Sequence, residues 1–176
     1  HILIEAFRRI SAAQARLKIY GWSDAPALRP YGRRLRELAG ADPRIAFIAE
    51  KKAEDMPAAY AGLALLAIPS VWMETGPLTL LEALQFGVPV YGSARIGQRG
   101  LLERYGRVID PNTPDEWARA LAAAADLHRR GGQRLPHAAG HVLGADAPER
   151  AQGRPHRPRR AHARDATALL VHADDE

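Results

Sequence analysis

Two glutamates, Glu74 and Glu82, stand eight residues apart in the stretch Ala67-Ile68-Pro69-Ser70-Val71-Trp72-Met73-Glu74-Thr75-Gly76-Pro77-Leu78-Thr79-Leu80-Leu81-Glu82-Ala83-Leu84-Gln85-Phe86-Gly87-Val88-Pro89-Val90. The stretch reads strand, loop, helix, turn, strand. Pro77 suits the first helical position, where a missing N–H costs nothing, and Gly76 before it lets the backbone approach a ligand closely. A helix beginning there offers free N–H donors and a positive dipole end to phosphate. Glu74 precedes that helix and Glu82 lies about one and a half turns inside it, so two carboxylates, which only accept hydrogen bonds, flank the phosphate seat. Taken singly, each reads as an ordinary surface carboxylate. Their shared placement is what suits vicinal sugar hydroxyls, and a phosphate with hydroxyl-bearing groups on either side describes a nucleotide-sugar.

The elements that must position these groups follow from the pattern of residues 1–130, where short apolar runs alternate with helical periodicity. Strands are expected at Leu17–Tyr20, Ile45–Ile48, Leu63–Ile68, Val88–Tyr91 and Val108–Ile109. Helices are expected at Ile2–Ala13, Pro30–Leu38, Met56–Ala61, Pro77–Phe86, Gly97–Arg104 and Pro114–His128. Repeated units of this kind build an α/β fold, a Rossmann-like doubly wound parallel sheet whose ligands lie beyond the carboxyl ends of the strands. The loop from Ser70 to Gly76 occupies that place. On the helix after it, Leu80, Leu81 and Leu84 are expected to face the core, with Thr79, Glu82 and Gln85 around the other side. The chain opens on a helix where such a sheet begins with a strand, so a first strand is expected upstream.

Composition bounds the rest. The 176 residues, 47% of them apolar, support one core and a tail. Residues 131–176 hold five of the seven histidines and no Ile, Phe, Tyr, Trp, Met or Lys, as a disordered tail or a GC-rich gene read in a shifted frame would give. There is no cysteine, which excludes disulfides and thiolate metal sites. His128, His137 and His141 lack an acidic partner at fixed offset, and no metal site is expected. No run is long and apolar enough for a membrane span, and no secretory signal opens the chain, so a cytoplasmic location is expected. The net charge of +5 admits an anionic partner. Arg33-Arg34-Leu35-Arg36 and the arginines from Arg154 to Arg164 read as a solvated helix face and a basic tail, and nucleic acid is not expected as a partner.

The run Pro-Ser-x-Trp-x-Glu-Thr-Gly-Pro-Leu-x-x-Leu-Glu-Ala followed by Gly-Val-Pro-Val resembles the E-x7-E signature of the group 1 glycosyltransferases, also called glycosyltransferase family 4. The likeness extends over roughly residues 1–128, through the opening Leu-Ile-Glu-Ala-Phe, Leu17 to Gly21, Tyr31, Ile45 to Ile48, Met56 to Tyr60, Asp110-Pro111 and Trp117-Ala118. The resemblance implies the donor-binding second half of a GT-B enzyme that transfers a hexose from a nucleotide-diphosphate sugar, with retention and without an obligatory metal or other cofactor. On that comparison Glu74, the catalytic residue, positions the hexose hydroxyls rather than attacking the sugar, and Glu82 holds the ribose hydroxyls. Thr75, Gly76, Pro77, Leu78 and Thr79 complete the donor segment, with N–H groups of Gly76, Leu78 and Thr79 toward sugar or diphosphate and no donor from Pro77. Ile48, Ala49, Glu50 and Lys51 lie near the base. The implied partners are a nucleotide-sugar, an acceptor-binding domain upstream and, for some members, the inner face of the membrane.

The chain departs from the family in three places. The Arg and Lys that clamp the diphosphate belong just upstream of its opening helix. The Gly-Gly-x-x-Glu element after the Pro-Val strand is replaced by Ser93-Ala-Arg-Ile-Gly-Gln-Arg-Gly100, and no apolar helix crosses back at the end. The fragment alone is therefore expected to be inactive. Arg95 and Arg99 are candidates for phosphate, although exposed arginines are common. Two other readings stand beside the transferase: a non-catalytic nucleotide-sugar binding or interaction module, and a nucleotide-sugar epimerase on the same architecture. A dinucleotide-dependent oxidoreductase would need Gly-x-Gly-x-x-Gly after its first strand, and none is present.

Overall fold

The computed structural model describes residues 1–22, 29–130 and 169–173. Along the chain run α1 (Ile2–Arg8), β1 (Ala15–Trp22), α2 (Arg29–Ala39), β2 (Ile45–Ala49), a 3-10 turn at Ala53–Asp55, α3 (Met56–Ala61), β3 (Leu65–Ile68), α4 (Leu78–Gln85), β4 (Val90–Ser93), α5 (Arg99–Tyr105), β5 (Gly106–Ile109), α6 (Pro114–Arg129) and β6 (Leu169–Ala173). The strands form one sheet in the order β2-β1-β6-β3-β4-β5.

Strict alternation along the central strands divides the interior in two. In β3, Leu65 and Ala67 join a core with Leu3, Ile4, Phe7, Leu17, Trp117 and Leu121, from α1, β1 and α6. Leu66 and Ile68 point the other way and pack with Tyr60, Leu80, Leu84, Val90, Ile96 and Leu102. Successive side chains of a strand leave opposite faces, so a strand apolar at every position requires a layer of helices on each side. This is the doubly wound α/β arrangement expected from the sequence. The turn from α4 into β4 is made by Gly87 at φ 68°, a conformation that side-chain-bearing residues adopt at a cost. α6 begins with Thr113 as N-cap, accepting from the Glu116 N–H, with Pro114 in its first turn.

Several details differ from expectation for local reasons. α1 stops at Arg8 rather than Ala13, because the chain turns at Arg9 to start β1 two residues earlier than the apolar run suggested. In α4, Ala83 takes the buried place given to Leu81, since 80, 83 and 84 share a face and 81 lies about 100° away. Pro77 caps α4 in an extended conformation (φ −66°, ψ 123°) instead of occupying its first turn.

The sheet is also not wholly parallel. β1–β2, β3–β4 and β4–β5 pair in parallel. β6 fills the position between β1 and β3 and runs antiparallel to both, with Leu17 opposite Val171 and Leu66 opposite Leu170. Without it, two interior strands would face each other with unpaired N–H and C=O groups. β6 falls within the stretch 131–176 expected to be a tail, in a run too short for periodicity to distinguish; the rest of that stretch lies outside the described residues, as do His137 and His141.

At the amino end of β2, the Arg44 guanidinium donates to both carboxylate oxygens of Asp42 (3.0 and 2.8 Å) and to the carbonyls of Ile10 and Ala12 (2.9 and 3.2 Å). It thereby ties the α1–β1 connection to β2. The hydrogen bond from Arg44, aided by its charge, holds the Asp42 carboxyl below its ordinary value against a smaller opposing effect of burial. A carboxyl depressed in the folded state stabilises the fold above its unfolded pKa, and that contribution disappears as pH falls through the folded value. Asp42→Asn is expected to cost about 1–2 kcal/mol at pH 7. In chemical denaturation the difference from wild type should shrink below about pH 4; a difference constant from pH 7 to pH 3 would contradict this.

Candidate functional site

β3 ends at Ile68, and Pro69 and Ser70 carry the chain over the carboxyl edge of the sheet. The Ser70 carbonyl accepts from the Ser93 hydroxyl (2.8 Å) and from the Asn112 amide (3.0 Å), which also reaches the Pro69 carbonyl (3.3 Å). Asn112 is held in turn by the indole N–H of Trp117 (2.6 Å). Ser93 and Trp117 are fully buried. A buried hydroxyl and a buried indole each need a partner, and here both end on the first turn of the loop. The loop is thus bolted to β4 and α6 before it reaches the first glutamate.

Glu74 is fixed through both backbone and side chain. Its N–H donates to the Arg95 carbonyl (3.1 Å), its carbonyl accepts from the Gly97 N–H (2.6 Å), and its carboxylate accepts the Ser70 hydroxyl. Gly97 has to be glycine for this. A Cβ there would lie 2.5–2.6 Å from the carbonyl oxygens of Thr75 and Glu74, which are backbone and cannot swing aside. The segment Ser93–Gly100, which departs from the family pattern, therefore forms the seat of the Glu74 backbone. Of its arginines, Arg99 pairs with Glu103 at 2.8 Å along α5, while Arg95 is exposed.

Thr75, Gly76 and Pro77 lead to α4, whose first turn contains Leu78 and Thr79. The first N–H groups of a helix have no partner within it, and no side chain caps this one. The Leu80 N–H turns back to the Pro77 carbonyl (3.1 Å), and those of Leu78 and Thr79 are the first two of the helix. Glu82 follows on α4, half-buried rather than fully solvated, because the Tyr60 hydroxyl donates to its carboxylate at 2.8 Å. Tyr60 belongs to α3 and stacks on Phe86, ring centroids 5.4 Å apart.

The fourth predicted group lies on another element. Ile48 and Ala49 close β2, and Glu50 and Lys51 follow it, exposed. Lys51 lines an open cavity of about 280 Å³ with Lys18, Tyr20, Asp55, Ala58, Ala59 and Gly62. α3 joins the two regions, with Ala58 and Ala59 in the cavity wall and Tyr60 on Glu82. Among the described residues no three His, Asp or Glu side chains gather as a metal set, and no helix is long and apolar enough to cross a membrane. Sequence reasoning missed Tyr60, Ser70, Ser93, Gly97, Asn112 and Trp117 as site supports. Their contacts join residues up to 43 positions apart, and no local spacing carries that.

With this geometry in hand, comparison with known proteins is decisive. A family model described as glycosyl transferases group 1 matches residues 1–126. The chain belongs to the group 1 glycosyl transferases. Among curated relatives, this group 1 chain is 30% identical over 130 residues to a D-inositol 3-phosphate glycosyltransferase of Corynebacterium efficiens, covering 72% of the chain and 30% of the relative. It is 36% identical over 92 residues to the Salinispora tropica protein of the same name, covering 49% of the chain and 19% of the relative. The group 1 chain thus spans less than a third of the relatives' length. The crystal structure of Anabaena HepE in complex with UDP-glucose superposes with a TM-score of 0.60 at 21% identity, over 77% of this chain and 40% of that one. HepE supports the GT-B fold of this group 1 member.

Proposed function

We propose that this chain is the donor side of a retaining hexosyltransferase, which takes a nucleotide-diphosphate sugar and delivers its hexose to a glycan, lipid or small-molecule acceptor held by another part of a longer protein. Glu74 positions the hexose hydroxyls and Glu82 accepts those of the ribose. The N–H groups of Gly76, Leu78 and Thr79 meet the diphosphate, and Ile48 to Lys51 border the base. The observation that carries this reading is the pair of carboxylates on either side of a helix start that no side chain caps, each already engaged by one hydroxyl from the protein. The UDP-glucose bound to HepE and the names of the curated relatives support a sugar nucleotide as the donor class.

Breaking the glycosidic bond puts charge on the leaving diphosphate. Helix N–H groups already aimed at it lower the barrier without reorganisation, with neither an enzyme nucleophile nor a metal. Further cations belong to the remainder of the longer protein, so the chain by itself binds donor without turning it over. Working from the cytoplasm, with or without contact at the inner membrane face, fits this task.

The test is titration of the folded chain with UDP, GDP and ADP, followed by ligand-observed NMR. Saturable binding of one nucleotide, weakened about tenfold by Glu82→Ala, is expected. Absence of binding by all three would leave an interaction module as the better account.

A further inference from the structure

We infer that Tyr60 is a positioning residue for nucleotide recognition: its hydroxyl orients the Glu82 carboxylate so that the site distinguishes a ribose from a sugar lacking the vicinal hydroxyls. The inference rests on the reading of Glu82 as the ribose acceptor and adds a residue outside the E-x7-E run, 22 positions away from its target.

The geometry is specific. Tyr60 is 2% exposed, and its ring is clamped between the second core and Phe86, with the two rings within 11° of parallel. A buried phenol in a fixed plane can deliver its O–H in few directions, and it delivers it to Glu82 Oε2 at 2.8 Å. A carboxylate offers about four lone-pair positions. Tyr60 occupies one, and the others remain for the two O–H donors of a vicinal diol. Without the Tyr60 hydroxyl the Glu82 side chain loses its hydrogen bond to α3 and regains rotamers that a bound ribose would have to freeze again. Burial, and then the hydrogen bond to Glu82 and its charge, push the phenol above its ordinary pKa, so it remains a donor throughout the neutral range. The same helix places Ala58 and Ala59 in the wall of the cavity lined by Lys51, so α3 spans from that cavity to the ribose acceptor.

The experiment compares wild type, Tyr60→Phe and Glu82→Gln, each checked for folding by thermal melting. UDP, GDP and ADP and their 2′,3′-dideoxy forms are titrated by ligand-observed NMR. Wild type should prefer the ribose form of its nucleotide by about tenfold or more, and Tyr60→Phe should reduce that preference to about threefold while leaving affinity for the dideoxy form unchanged. Loss of preference in Glu82→Gln but not in Tyr60→Phe overturns the role of Tyr60 and spares Glu82. Equal weakening of both nucleotide forms by Tyr60→Phe also overturns it, because that is what a merely structural role produces. A wild type indifferent to the ribose hydroxyls, or one that binds no nucleotide, removes the Glu82 reading and the Tyr60 assignment with it.

Discussion

Trp117→Ala is expected to lower the unfolding free energy by about 3–5 kcal/mol, a large part of the roughly 5–15 kcal/mol that holds a domain of this size together. Trp117 is fully buried in the core shared by α1, β1 and α6, and the substitution leaves a cavity among side chains that are already close-packed. Trp117→Phe separates packing from polarity. It keeps most of the apolar contact but leaves Asn112 Oδ1 without its donor, at a cost of about 1–2 kcal/mol. Asn112 holds the Ser70 carbonyl, so the Phe variant should also speed amide hydrogen exchange across Ser70 to Glu74. Urea unfolding and exchange mass spectrometry measure both. A Phe variant that is destabilised while its loop keeps wild-type protection would show that the Asn112 contact does not brace the site.

Glu74→Ala should weaken binding of the matched UDP-, GDP- or ADP-hexose about a hundredfold while leaving affinity for the free nucleoside diphosphate within about twofold of wild type. Two hydrogen bonds to a charged acceptor, taken at the low end of roughly 1.5–3 kcal/mol each, total about 3 kcal/mol, and about 2.8 kcal/mol corresponds to a hundredfold. The contrast between the two ligands is the informative quantity, since Glu74 is proposed to meet the hexose and not the nucleotide. Isothermal titration with both ligands decides. Equal losses would mean that Glu74 supports the loop rather than the sugar, an outcome its backbone bonds to Arg95 and Gly97 make physically reasonable.

Much of the architecture was legible because its signals are local. The strand expected at Leu63–Ile68, found at Leu65–Ile68, announces itself by an apolar run, and α6, expected from Pro114, by its helical pattern. The carboxylate pair was legible for the same reason, since loop, helix start and spacing lie within one short stretch. Less was legible wherever an outcome depends on a distant partner. Glu82 read as a solvated carboxylate because α4 alone leaves it on the polar side, and only the packing of α3 against α4 brings Tyr60 to it. Ser93–Gly100 read as a departure from the family, and only the parallel bridge between Glu74 and Ile96 reveals it as a seat for the site.

β6 marks the boundary between the two kinds of information. By itself the sequence determined the order of βα units, the two-sided burial of the central strands and the presence of a helix directly after Gly76-Pro77, since each follows from side-chain periodicity and from Gly and Pro placement. Only the tertiary structure decided that Leu169–Ala173 enters the sheet between β1 and β3, that Trp117 and Asn112 brace Ser70, and that each glutamate carries a hydroxyl partner. Backbone pairing in a sheet and hydrogen bonds between elements are satisfied by whatever is brought close in space. Proximity of that kind has no period along the chain from which it could be read.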